Sequence, residues 1–68
     1  MSKKFDGEQL KKYRVESNLK QIELADMVGV GRDRICRWEK GEEPNYDSLQ
    51  KLAHALEIRP DDLFYFSK

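Results

Sequence analysis

Apolar residues recur at helical spacing along most of the chain, and glycine, asparagine or proline interrupts them at short intervals. Residues 8–17 read as a helix that Asn18 ends in a left-handed conformation. Residues 21–28 read as a second helix stopped by Gly29, and residues 32–40 as a third stopped by Gly41. Asn45, after Pro44, suits the N-cap of a fourth helix over residues 46–56. Pro60 suits the first position of a short last helix, with Asp61 and Asp62 placed well for its dipole. No segment alternates long enough to predict a strand, so the pattern predicts an all-α fold of five helices.

The same periodicity assigns faces. Leu49, Leu52, Ala53 and Leu56 form a stripe at i, i+3, i+4 and i+7, with His54 on the solvent side. In the second helix Ile22 pairs with Ala25 and Leu24 with Val28, which predicts burial between neighbours around much of its girth. Ile35 and Trp38 must point inward from the third. Arg14 lies i+4 from Leu10 and Glu39 lies i+4 from Ile35, which places a charge on the apolar side of each helix. An unpaired buried charge costs several kcal/mol, so Arg14 and Glu39 are expected to find each other and join the first helix to the third.

Composition narrows the function classes. A chain of 68 residues with 38% apolar content holds one small domain. A domain of that size hides only about 60% of its unfolded surface, so it needs efficient helix packing, a dimer partner, or both. With one cysteine and one histidine, an intrachain disulfide is impossible and a zinc site would need carboxylates to complete it. No metal, cofactor or small-molecule ligand is expected. No Ser-His-Asp arrangement or phosphate-binding glycine loop is present, so an enzyme is not expected. The absence of a long apolar run or signal-peptide pattern predicts a cytoplasmic protein with no membrane partner. The net charge is zero, yet residues 1–40 hold ten Lys/Arg against seven Asp/Glu, while residues 41–68 hold three against six. Such asymmetry is one mark of a polyanion-binding face.

The informative stretch is residues 21–40, where two short helices meet at a tight turn opened by Gly29. Ala25, four residues earlier, lets the second helix cross close to the third, and Val30 and Ile35 fill the angle between them. At about 100° per residue from inward-facing Ile35, the outer arc of the third helix carries Asp33, Cys36, Arg37 and Lys40, with Arg32 and Arg34 at its edges. Arginine offers the planar fork that matches guanine O6 and N7 in the major groove. Asp33 can accept from a cytosine amino group or orient Arg37. Lys20 and Gln21, at the N-terminus of the second helix, are placed to donate to a phosphate. Cys36 has no resolving partner and is read as an incidental thiol on this face.

Residues 8–64 resemble the phage repressor and Cro helix-turn-helix family of DNA-binding regulators, a lambda-repressor-like fold. The motifs are Leu10…Arg14, Gln21-x-x-Leu24-Ala25-x-x-Val28-Gly29-Val30, Ile35-x-x-Trp38-Glu39-x-Gly41-x-x-Pro44 and Leu49-x-x-Leu52-Ala53-x-x-Leu56. The resemblance implies that the third helix is a recognition helix. It implies base-edge contacts for Arg32, Asp33 and Arg37, to which the arc adds Arg34 and Cys36, and a phosphate and base-edge contact for Gln21; Lys20, Gly31 and Lys40 are read as phosphate contacts beside it. It also implies an ion pair between the first and third helices, the role given above to Arg14 and Glu39. The chain departs from the family at four places. Lys20 and Gly31 stand where Ser or Thr often caps a helix, and Glu57 stands where glycine often ends the fourth. Glu42-Glu43 follows the third helix in a loop that is often basic, where two carboxylates repel phosphate.

A single recognition helix reads few base pairs, so the resemblance implies a homodimer on two half-sites about 34 Å apart. Residues 1–7 are read as an N-terminal arm and residues 8–66 as the DNA-binding domain. Leu63 and Phe64 are expected to close the monomer core, leaving Tyr65 or Phe66 for a two-fold interface. The expected function is a sequence-specific regulator of transcription that binds double-stranded DNA. The acidic second half keeps a protein-interaction module on the same fold, such as an antitoxin or anti-repressor partner, as the alternative. A non-specific RNA- or nucleoid-binding protein fits the neutral total charge poorly.

Overall fold

The computed structural model describes residues 2–67. Asp6 opens the first helix: its Oδ1 accepts the backbone N–H groups of Glu8 and Gln9 at 3.1 and 3.3 Å. Helix α1 (Gly7–Glu16) runs to Asn18, which takes the left-handed conformation at φ 58°. Helices α2 (Gln21–Val28) and α3 (Arg32–Glu39) follow, and then α4 (Tyr46–Leu56), capped by a 2.8 Å bond from Ser48 N–H to Asn45 Oδ1. Glu57 ends α4 in the left-handed region at φ 57°, where a Cβ is sterically disfavoured.

The expectation of five helices and no strand is corrected at both ends of the chain. Residues 60–63 form a four-residue 3-10 turn rather than a fifth α-helix, because Phe64 is already extended at φ −123°, ψ 157°. Strand β1 (Ser2–Phe5), within the segment read as an arm, pairs antiparallel with β2 (Phe64–Ser67), with Phe5 opposite Phe64 and Lys4 opposite Tyr65. Phe5 and Phe64 meet edge to face at 5.9 Å between ring centres. The fold is therefore mostly helical, with four α-helices and a two-stranded sheet among the described residues.

Leu10, Leu24, Ile35, Trp38, Leu52 and Leu63 are almost wholly buried and join the elements into one core. Full burial of each aliphatic side chain contributes roughly 1.5–3 kcal/mol. Helix α2 is less enclosed than its composition predicts. Leu24, Ala25 and Val28 are buried, but Ile22 and Met27 lie on the outer side and are more than half exposed. Helix α2 packs mainly on α3 and α4, and its buried residues form one stripe. Gly7 sits where α1 begins against the end of α3. A Cβ there would lie within 3 Å of the backbone carbonyls of Trp38 and Glu39, a close approach that glycine alone permits.

Candidate nucleic-acid interface

The turn between α2 and α3 is set by Gly29, at φ 83°, ψ 32°. Its N–H and that of Val30 both donate to the Ala25 carbonyl, at 2.8 and 3.0 Å, which closes the C-terminus of α2 within two residues. At the other end of α2, Lys20 has no side-chain acceptor to offer. Glu23 reaches back instead, and its Oε1 accepts the Lys20 N–H at 2.7 Å. Helix α3 starts at Gly31 in extended conformation, and no side-chain cap bonds its first-turn amides among the described residues.

The two faces of α3 divide sharply. Ile35 and Trp38 are buried, whereas Arg32, Asp33, Arg34, Arg37 and Lys40 are exposed and Cys36 is half-buried. Lys20 and Gly31 are exposed beside them. Four cations and one carboxylate thus share a rigid surface presented by one helix. Glu42 and Glu43, in the loop beyond its C-terminus, are exposed as well.

A largely buried ionic cluster ties α3 to α1 and to the entry of α2. Arg14 Nε donates to Glu39 Oε2 at 2.5 Å, with side chains only 11% and 5% exposed. Arg14 Nη2 adds a 3.4 Å bond to Glu39 Oε1, and Arg14 Nη1 donates to the Leu19 carbonyl at 2.7 Å. Gln21 Nε2 completes the cluster with a 3.0 Å bond to Glu39 Oε1. One amide proton of Gln21, a residue read from the sequence as a phosphate contact, is therefore held by Glu39. The carboxylate links α1, the entry to α2 and the end of α3, and every buried polar side-chain atom among the described residues has a partner. The Leu19 carbonyl and the Gln21–Glu39 bond were not foreseen, because a backbone acceptor and a mid-length amide leave no periodic signal.

Elsewhere the surface offers little for chemistry. Among the described residues no three His, Cys, Asp or Glu side chains converge as a metal would require. No helix among them is long and apolar enough to cross a membrane. A cleft of about 600 Å³, lined by Lys3, Tyr46, Arg59 and Phe64 among others, opens beside the sheet and uses no residue of α3.

A helix-turn-helix family model matches residues 10–63. The chain belongs to the helix-turn-helix family. It is 38% identical over 64 residues to repressor protein C2 of Salmonella phage P22, covering 93% of this chain and 30% of the repressor's length. The P22 c2 repressor in complex with a synthetic operator superposes with a TM-score of 0.81 at 38% identity, over 84% of this chain and 88% of that one. An uncharacterized HTH-type transcriptional regulator of Archaeoglobus fulgidus is 35% identical over 60 residues, covering 87% of this chain and 84% of its own. The restriction-modification controller protein C.AhdI of Aeromonas hydrophila gives a TM-score of 0.80 at 34% identity, over 85% and 89% of the two chains. These relatives carry the names of a transcriptional regulator, a repressor and a controller protein, and the two solved structures share the fold described above.

Proposed function

We propose that the chain is a cytoplasmic, sequence-specific DNA-binding regulator of transcription that acts as a homodimer on an inverted repeat. The outer face of α3, with four cations on a helix anchored from behind, is the observation that carries this reading. In the proposed complex α3 enters the major groove with Arg32, Asp33, Arg34, Cys36 and Arg37 toward base edges. Lys20, Gln21, Gly31 and Lys40 then lie toward the phosphates. The operator complex of the related P22 c2 repressor supports the choice of DNA as partner. Residues 8–66 serve as the binding domain, and no catalytic role is assigned to it. Tyr65 and Phe66, 47% and 63% exposed on β2, are the proposed dimer contacts.

The exposed pair Glu42 and Glu43 favours a second reading, in which the same fold docks a basic protein partner. Fluorescence anisotropy across a salt series, with a set of single-base operator variants, separates the two. Under the DNA reading Arg37→Ala flattens discrimination at one base position by about 1–3 kcal/mol. Lys20→Ala weakens all sequences alike and lowers the salt slope by about 1. A specificity ratio unchanged in Arg37→Ala contradicts the assignment of that side chain, and binding without sequence preference favours the protein partner.

A further inference from the structure

The sheet leaves one edge suited to a second copy of the chain. Asp6 N–H donates to the Leu63 carbonyl at 2.8 Å, and the register continues from there through Lys4 opposite Tyr65. In an antiparallel ladder the exchanged bonds then fall on Lys4 and Tyr65, while the N–H and C=O of Lys3, Phe5, Phe64 and Phe66 point to the outer edges. The Phe64 N–H is taken by the Asp61 carbonyl of the 3-10 turn. The Phe66 N–H and C=O, on the outer edge of β2, have no partner among the described residues.

The two edges differ in charge. Strand β1 carries Lys3 and Lys4, and a β1–β1 pairing would set lysines against lysines, the usual means of keeping an edge unpaired. Strand β2 reads Phe-Tyr-Phe-Ser and has no charge. Two identical strands related by a two-fold axis pair antiparallel, and a residue on the axis meets its own copy. A register centred on Tyr65 would need the Phe64 N–H that the turn already holds, whereas one centred on Phe66 needs only the groups that are open.

We propose that β2 of one protomer pairs with β2 of a second copy, with Phe66 opposite Phe66 and two N–H···O=C bonds between them, giving a four-stranded sheet across the dimer. This rests on the dimeric reading above and names its contact. The interface is short, so the dimer is concentration-dependent in free solution and is reinforced when both protomers hold half-sites.

Sedimentation equilibrium from micromolar to millimolar protein compares the wild type with Phe66→Ala and Phe66→Pro. Both variants lose the ring, but only proline removes the outward N–H, and it leaves the ladder to β1 intact because that ladder does not use this group. The expected result is a dissociation constant roughly tenfold higher for Phe66→Pro than for Phe66→Ala, from the loss of two hydrogen bonds. Trp38 fluorescence reports that each variant is folded. In the wild type the Phe66 amide should exchange about tenfold more slowly in the dimer than in the monomer, while Tyr65, bonded to β1, is protected in both. Equal dimerisation of the two variants, with an unprotected Phe66 amide in a sample of dimer mass, overturns the strand-edge contact and leaves the dimer standing. A monomer mass at every concentration overturns both.

Discussion

Glu39 receives Arg14 and Gln21 at a point where water is largely excluded, and its carboxylate sets the angle at which α3 meets the body of the protein. Glu39→Ala strands the Arg14 guanidinium with only the Leu19 carbonyl, so it should cost about 3–5 kcal/mol in urea unfolding. A wild-type midpoint would mean that Arg14 finds equivalent solvation. Gly7 makes a second residue-scale demand. Gly7→Ala pushes a methyl into the carbonyl groups that end α3, and backbone cannot rotate away as a side chain would. The expected loss is about 1–3 kcal/mol, read as a lower melting temperature, and an unchanged melt would contradict the close approach. The ionic pair was legible because two charges fell on apolar faces, which leaves few solutions. The constraint at Gly7 was not, since nothing local in residues 5–8 announces what the far end of α3 brings against them.

At the scale of elements, periodicity located the helices that carry a long stripe, α4 above all, and turn chemistry located their ends at Asn18, Gly29 and Asn45. The sheet escaped because each strand is four residues long and finds its partner about sixty residues away, a pairing without local signature. Once formed, the sheet is tethered at its outer side. Lys3 Nζ lies 2.5 Å from Asp61 Oδ1 and 4.7 Å from the Phe64 ring centre. The hydrogen bond and charge of Lys3, aided by Arg59, hold the Asp61 carboxyl below its ordinary value against a small opposing effect of burial. A carboxyl lowered in the folded state contributes stability above its unfolded value, roughly 4, and that contribution disappears as pH falls through the folded value. Wild type should therefore lose stability in excess of Asp61→Asn as the pH falls below about 4. Paired urea titrations at neutral and acidic pH test this, and identical acid losses would show that the tether does not hold in solution. The effect is small, because both side chains are largely exposed.

Over the whole molecule, a neutral chain carries the cations of the proposed DNA interface on one helix and at the entry of another, with acidic residues beyond them. Under the proposed function such a surface would give a weak non-specific hold, leaving affinity to base contacts and to two protomers acting together. The family was legible from the spacing of α2, the turn and α3. The aromatic residues of the proposed dimer contact stood out in the sequence only as a surplus near the C-terminus, since their placement on a strand follows from the non-local pairing. Selection of random duplex DNA on the purified protein at moderate salt decides whether two copies read a symmetric operator. The expected result is an enriched inverted repeat whose half-site centres lie about one helical turn apart, roughly 34 Å. Enrichment of a single half-site without symmetry, or none from a folded sample, would contradict it.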